Sequence, residues 1–152
     1  MESINYTSLF SSDRQVPLLQ IKHLLSDITV LYPDFDNWLK YKFYQPSYEN
    51  QRKAIIAHNG ESLLGVALLK KSTYENKICT LYTSPIYQGQ GIGSRLIDLS
   101  LQYFDSSDVL ITVAQEKLIE LTPILKSKGF ICTSISKRMY RAENTEHFFN
   151  LR

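Results

Sequence analysis

Cysteine, clustered charge and long apolar runs are all scarce in this 152-residue chain, and each scarcity argues against a class of protein. The two cysteines, Cys79 and Cys132, lie in apolar, strand-like segments, so we expect buried free thiols and a reducing cytoplasm rather than a disulfide scaffold. No apolar stretch reaches transmembrane length, and residues 1–10 lack the basic and apolar regions of a signal peptide. The sequence therefore predicts a cytoplasmic protein with no membrane partner.

Basic clusters and metal-ligand spacings are also scarce. The net charge is +2, and the longest basic runs are Lys70-Lys71 and Lys137-Arg138, so we expect no nucleic-acid partner. His58 and His147 have no further ligand at a suitable spacing, so no metal is predicted. The 43% hydrophobic and 21% charged content is ordinary for a single domain, here residues 1–152.

Hydrophobic periodicity divides the chain into seven predicted strands and four predicted helices. The strands are expected at residues 3–10, 52–58, 62–70, 77–83, 109–113, 130–141 and 145–151, and the helices at 15–31, 34–44, 91–104 and 116–128. Asn59-Gly60 is expected to form a tight hairpin turn, Thr122-Pro123 to interrupt and restart the last helix, and Gly129 to end it. The resulting order, β-α-α-β-β-β-α-β-α-β-β, excludes a doubly wound sheet and favours a mixed α/β sandwich.

A glycine-rich loop connects the fourth predicted strand to the third predicted helix. Gly89, Gly91 and Gly93 alternate there, which allows the backbone to turn sharply and to approach a ligand closely. The helix that follows directs unpaired N–H groups into the loop, so the segment is suited to bind phosphate. It lacks the Gly-Lys-Ser/Thr of a Walker loop, and Ser94 stands where a dinucleotide fingerprint needs Gly or Ala.

The loop instead fits the pattern Gln/Arg-x-x-Gly-x-Gly/Ala, as Gln88-Gly89-Gln90-Gly91-Ile92-Gly93. Together with Pro85, Tyr87 and the following Leu96-Ile97, it resembles the acyl-CoA loop of the GNAT N-acetyltransferase superfamily. Lys128-Gly129-Phe130 and the order of elements agree with this resemblance along almost the whole chain. It implies a GNAT-like α/β fold, with a mainly antiparallel central sheet and helices on both faces.

The resemblance also implies an acetyl-CoA site. In the family, the pantetheine arm bonds to exposed backbone of the strand before the loop, and the pyrophosphate rests on the loop amides. The matching residues here are Leu81, Tyr82 and Thr83 for the arm, and Gln88, Gly89, Gln90, Gly91, Ile92 and Gly93 for the pyrophosphate. Ser94 either adds a hydroxyl to a phosphate oxygen or is an ordinary polar residue of the first helical turn.

Catalytic groups are harder to transfer from the family. Members often place a carboxylate on the strand before the loop as the base, which points to Glu75, although a plain turn residue fits Glu75 as well. The tyrosine that many members place before the Gly-Phe pair is Leu125 here, and the common asparagine is Leu118. Tyr140, or else Tyr82, is the expected substitute acid toward the sulfur.

The acceptor amine is expected near the junction of the first two helices. Tyr32, Asp34, Asp36 and Trp38 would suit a cationic amine through charge and cation–π contacts. Alternatively, Asp34 caps the second helix while Trp38 packs into the core. The closing β-hairpin is expected either to complete the acceptor pocket or to supply the edge of a homodimer.

Three functions follow from these residues. The first is an N-acetyltransferase that moves an acetyl group from acetyl-CoA to a primary amine of a small molecule or a protein. The second is a catalytically weak acyl-CoA-binding sensor or interaction domain, which the loss of the usual tyrosine and asparagine favours. The third is a nucleotide-binding module whose loop holds another diphosphate.

Overall fold

A seven-stranded mixed sheet with the order β1-β2-β3-β4-β5-β7-β6 forms the centre of the protein. The computed structural model describes residues 3–11, 17–43, 50–137 and 145–151. Its elements follow the predicted order: β1 (Asn5–Phe10), α1 (Leu18–Leu24), α2 (Phe35–Trp38), β2 (Asn50–His58), β3 (Leu63–Ser72), β4 (Asn76–Thr83), α3 (Ile92–Phe104), β5 (Leu110–Ala114), α4 (Leu118–Ser127), β6 (Phe130–Lys137) and β7 (Thr145–Leu151). The predicted α/β class with a mainly antiparallel sheet is confirmed, since among the described strands only β4 and β5 pair in parallel.

Two layers of helices cover the sheet, so its central strands are buried on both faces. The residues of β3 from Leu64 to Leu69 are all buried, as expected for a strand between two helical layers. One core cluster contains the α1–α2 side: Ile21, Leu25, Ile28, Phe35, Leu39, Phe43, Ala54, Ile56, Val66, Leu68 and Tyr82. The other contains the α3–α4 side, including Ile55, Leu69, Ile78, Leu96, Ile97, Phe104, Leu125 and Phe130.

The first two predicted helices are divided more finely than their periodicity indicates. α1 ends at Leu24, and a 3-10 helix covers Ser26–Val30. The hydroxyl of Thr29 donates to the carbonyl of Ser26 at 2.8 Å. Serine, aspartate and threonine compete in this way for backbone hydrogen bonds, which disfavours a continuous α-helix. α2 continues as a π-helical turn over Leu39–Phe43.

Other predicted details are wrong. α4 runs unbroken through Pro123, so the predicted restart does not occur. Proline removes the hydrogen bond to the carbonyl of Ile119, and this loss is tolerated because Ile119 is solvent-exposed. The first hairpin turn is longer than Asn59-Gly60, because the Asn59 amide oxygen accepts from the backbone N–H of Ser62 at 2.9 Å. Cys132 is exposed, because β6 is an edge strand. The end of the predicted strand 130–141, with the turn after it, lies outside the described residues.

Candidate active site

The parallel strands β4 and β5 pair at only two positions and then separate. Lys77 lies opposite Leu110 and Ile78 opposite Ile111, and no further pairs follow. Beyond them, β4 continues as a partner of β3, and β5 as a partner of β7. The two strands therefore present backbone N–H and C=O groups toward each other across an open gap, where a ligand can bond to them.

A β-bulge explains where the strands separate. In the β3–β4 ladder, Leu68 pairs with Thr80 but Leu69 pairs with Ile78, so Cys79 is an extra residue. A bulge bends a strand and increases its twist. Because this bulge directly follows the last β4–β5 pair, it turns the rest of β4 away from β5.

The glycine loop lies at the open end of this gap. Gly91 is the N-cap of α3 with φ +81°, and Gly89 has φ +84°, conformations that favour glycine. The first helical bond runs from the Arg95 N–H to the Gly91 carbonyl at 3.0 Å. The N–H groups of the preceding three residues, 92–94, therefore have no carbonyl one turn earlier and point into the loop.

Packing leaves room for a ligand above the first turn of α3. A Cβ at Gly93 would meet only Thr83 Oγ1 at 3.7 Å and Ile124 Cδ1 at 3.9 Å, which are ordinary contacts. The fold itself therefore does not exclude a larger side chain there. The space, together with the exposed amides and the positive end of the helix dipole, fits a phosphate-bearing group.

Two cavities line the gap and share a wall formed by Leu81, Tyr82, Lys117 and Leu121. One, of about 390 Å³, extends over the glycine loop. The other, of about 270 Å³, extends between β4, β5 and the α1–α2 junction. A ligand on the glycine loop can thus reach along β4 toward the α1–α2 junction, where a second molecule would have to enter.

Most of the predicted acyl-CoA residues lie together in the first of these cavities. Its lining includes Leu81, Tyr82, Thr83, Gln88, Gly89, Gly91, Ile92, Gly93 and Ser94. Gln90 is exposed and is not part of that lining. The side chain of Gln88 donates to the Thr83 carbonyl at 3.4 Å, which ties the loop to the end of β4.

Three of the four predicted acceptor residues line the second cavity, namely Tyr32, Asp34 and Trp38. Asp36 is exposed and lines neither cavity. Asp34 stands at the N-cap of α2 but makes no side-chain cap bond, so capping does not occupy its carboxylate. Trp38 stacks on buried Phe35 with ring centroids 5.6 Å apart, so its ring both packs and faces the cavity.

The predicted catalytic residues are placed less favourably. Glu75 lies in the turn before β4, not on the strand, and its carboxylate pairs with Lys70 at 2.5 Å. It is not among the residues that line the two cavities. Leu125 is fully buried in the core, so the position of the usual tyrosine does not face the gap. Tyr140 lies outside the described residues.

Two tyrosine–carboxylate pairs stand in the cavity walls instead. The Tyr32 hydroxyl donates to Glu146 Oε1 at 2.8 Å, and Glu146 is 2% exposed. The Tyr82 hydroxyl donates to Asp27 Oδ2 at 3.2 Å. Burial, with a smaller contribution from Asp27, raises the pKa of Tyr82, so its phenol stays protonated at neutral pH.

Sequence reasoning missed the groups at the closed end of the gap. Arg52 and Cys79 both line the second cavity, with Arg52 Nη1 3.5 Å from the sulfur. Burial raises the pKa of the Cys79 thiol despite the neighbouring arginine, so the thiol is a poor nucleophile. One signal could have identified Arg52: it alternates with Ala54 and Ile56 on one face of a strand, which predicts an inward-pointing charge.

The mixed sheet, the parted parallel strands and the glycine loop agree with the fold that the resemblance to the GNAT superfamily predicts. The model of the acetyltransferase (GNAT) domain matches residues 29–144, well over half of the chain. This chain belongs to the GNAT acetyltransferase family.

Individual relatives agree with this family. The N-alpha-acetyltransferase RimI of Mycobacterium tuberculosis is 25% identical over 122 residues, covering 78% of this chain and 77% of that protein. The ribosomal-protein-S18-alanine N-acetyltransferase of Escherichia coli superposes with a TM-score of 0.71 at 13% identity, over 98% of this chain and 93% of that chain. A chain of the NatC complex bound to Gag peptide and CoA gives 0.67 at 18% identity, over 98% of both chains. At these identities the two solved structures show the shared fold.

Two features are absent from the described ranges. None of the helices there is both long and apolar enough to cross a membrane. Within the same ranges, no group of three or more His, Cys, Asp or Glu side chains is arranged to hold a metal ion.

Proposed function

We propose that this chain is an N-acetyltransferase that moves an acetyl group from acetyl-CoA to a primary amine. The family supports acetyl transfer in general. The observation that supports the reaction most directly is the continuous gap between β4 and β5, which runs from the glycine loop to the α1–α2 junction. It has room for a donor at one end and an acceptor at the other.

In this proposal the backbone holds acetyl-CoA. Leu81, Tyr82 and Thr83 offer the unpaired edge of β4 to the pantetheine arm, and the amides at the start of α3 receive the pyrophosphate. The Ser94 hydroxyl lines the same cavity and is available to a phosphate oxygen. Such donors are fixed before binding, so little ordering is needed when the ligand arrives. The bound thioester supplies an activated acetyl group.

The acceptor enters beside Tyr32, Asp34 and Trp38. A protein amine is the favoured class, because the relatives are an N-alpha-acetyltransferase, a ribosomal-protein-S18-alanine N-acetyltransferase and a NatC complex bound to a peptide. The half-open cavity at the α1–α2 junction is compatible with either a chain terminus or a small amine.

Proton transfer is assigned to the Tyr32–Glu146 pair. The Tyr32 phenol lines the acceptor cavity and donates a hydrogen bond to the buried carboxylate of Glu146. The phenol oxygen can take a proton from the ammonium while its own proton passes to that carboxylate. Glu75 fits this role less well, because Lys70 holds its carboxylate in a turn. Tyr82, which is neutral and lines both cavities, can donate a hydrogen bond to the leaving thiolate, and the thiolate takes its proton from solvent.

The decisive test is the thermal stability of the protein with and without acetyl-CoA, in the parent and in Ser94→Glu. A ligand that binds only the folded state raises the melting temperature. A glutamate in the first turn of α3 favours the helix dipole, so the variant should fold, but its charge repels the pyrophosphate. We expect a shift in the parent that is lost in Ser94→Glu.

Two controls separate the possible causes. Ser94→Gln introduces a side chain of the same size as glutamate but without its charge. Gln102→Glu adds the negative charge on the exposed face of the same helix, away from the glycine loop. Gln102→Glu should keep the full shift, and Ser94→Gln should keep more of it than Ser94→Glu. An undiminished shift in Ser94→Glu would place the ligand elsewhere, and no shift in the parent at millimolar acetyl-CoA would refute the proposed function.

The alternative of a weakly catalytic acyl-CoA sensor predicts the same thermal shifts but no turnover. Buried Leu125 provides no acid at the usual position, which is the observation in its favour. Release of CoA in the presence of a panel of amines decides between the two.

A further inference from the structure

Arg52 is a buried cation with an incomplete set of partners. It is 9% exposed, projects from β2 on the α1–α2 side of the sheet and lines the acceptor cavity. Its Nη1 donates only to the Cys79 sulfur at 3.5 Å, and its Nε is buried without a hydrogen-bond partner. The guanidinium lies 5.7 Å from the centroid of the Trp38 ring. Among the described residues, no carboxylate pairs with it.

Such an arrangement is unfavourable for folding alone. A guanidinium is charged at every physiological pH, and a buried charge without a partner is unfavourable because the loss of its hydration is not compensated. Structural arginines in protein interiors are therefore paired with carboxylates or carbonyls. Among the described residues, a weak thiol acceptor and a ring therefore leave Arg52 without a strong hydrogen-bond acceptor.

Three lysines and one carboxylate are the remaining charged groups of the cavity lining. Lys70, Lys77 and Lys117 also line it, against the single carboxylate of Asp34. Lys70 is neutralised by Glu75 at 2.5 Å, and Lys117 lies 3.6 Å from Glu120. Arg52 stands at the closed end of the cavity, beside the bulge where β4 leaves β5.

We infer that the acceptor carries an oxyanion, a carboxylate or a phosphate, that binds Arg52 while its amine points toward the thioester. This inference rests on the proposed function and names its substrate class. Arginine matches both oxyanions with two parallel N–H donors. Polyamines, which carry only positive charge, are predicted to be poor acceptors.

The test compares amines that differ only in the oxyanion. The small pair is β-alanine and β-alaninamide, with 2-aminoethyl phosphate as the phosphate arm. The peptide pair has a free N-terminal serine followed by Glu or Gln. We expect at least tenfold higher kcat/KM for the anionic member of the preferred pair, and the preferred arm identifies the source of the oxyanion.

Arg52→Met and Arg52→Lys determine whether the preference depends on the guanidinium. Arg52→Met should abolish the preference by lowering kcat/KM for the anionic amines more than for the neutral ones, and Arg52→Lys should retain part of it. Lys53→Met is the matched control, because it removes a charge from the next residue, whose side chain lies over Tyr103 at 4.4 Å and not in the cavity.

A readout without turnover completes the test. With CoA bound, the anionic amines should raise the melting temperature of the parent and not that of Arg52→Met. Arg52→Met should itself melt no lower than the parent, because it removes an unpaired buried charge. A large fall in its melting temperature, together with an equal loss of kcat/KM for both amine types, would assign Arg52 a structural role and overturn the inference. Transfer with no preference for the oxyanion would overturn it while leaving the proposed function intact, whereas failure of the acetyl-CoA shift in the parent would refute both.

Discussion

At the scale of single residues, the hydroxyl of Tyr32 is the group that connects the acceptor cavity to a buried carboxylate. Tyr32→Phe removes that one oxygen and leaves the ring in place. We expect kcat to fall by roughly two orders of magnitude, which is the range of a lost proton-transfer group, with an unchanged KM for acetyl-CoA. Steady-state kinetics across a range of pH measures both.

A second tyrosine serves as the control for this change. Tyr41→Phe removes a hydroxyl from an exposed ring outside the cavity and should leave kcat unchanged. If Tyr32→Phe retained full kcat and the parental pH profile, proton transfer would not pass through Tyr32, and Glu75 or a residue outside the described ranges would become the leading candidate.

At the scale of elements, helix α4 shows how its two faces differ in energetic importance. Leu125 is fully buried between this helix and the sheet, while Ile119 on the same helix is 93% exposed. Leu125→Ala should lower the free energy of unfolding by about 2–5 kcal/mol through lost burial and a cavity. Ile119→Ala should change it by less than about 0.5 kcal/mol.

Urea denaturation followed by circular dichroism measures both variants. Equal destabilisation would mean that the two faces of α4 contribute alike, contrary to the burial in the structure. The same burial explains why Leu125→Tyr would not restore the acid of other family members: the larger ring would be forced into a filled core rather than toward the gap.

At the scale of the whole molecule, buried phenols and a thiol make stability depend on alkaline pH. Burial raises the pKa of Tyr6, Tyr82, Tyr103 and Cys79 above the ordinary values of 10.0 and 9.0. In each case the folded state binds the proton up to a higher pH than the unfolded state does. The contribution of the group to the free energy of unfolding is therefore complete below the unfolded pKa and is lost as the pH rises through the folded pKa. We expect the urea midpoint to stay level up to about pH 8 and to fall between about pH 9 and 11.

Lys53 acts in the opposite direction and so limits the size of this effect. Burial, and to a smaller extent Lys71, lower its pKa below 10.5, so the folded state releases this proton more readily than the unfolded state does. Its contribution to the free energy of unfolding therefore becomes more favourable as the pH rises over the same range. Tyr82→Phe should flatten the decline in part, because one of the raised groups is removed. A midpoint that stayed constant up to pH 11 would contradict the direction of these shifts.

Local sequence signals predicted the positions of most helices and strands. The apolar runs of β2 and β3, the glycines before α3 and the single apolar face of α3 each specify an element within a few residues. The same local signals failed at the 3-10 helix after α1, where the side-chain hydrogen bond of Thr29 disfavours a continuous α-helix. They also failed at Pro123, where α4 continues although one backbone hydrogen bond is lost on its exposed face.

The sequence by itself determined the proposed acyl-CoA end of the site, and the tertiary structure decided the proposed acceptor end. The glycine loop is local, since its residues are consecutive and their conformation creates the phosphate cradle. The acceptor cavity joins Tyr32 from the α1–α2 junction, Arg52 from β2 and Cys79 from a bulge in β4, with Glu146 from β7 behind Tyr32. These groups are far apart in the chain, and only strand pairing and the bulge bring them together.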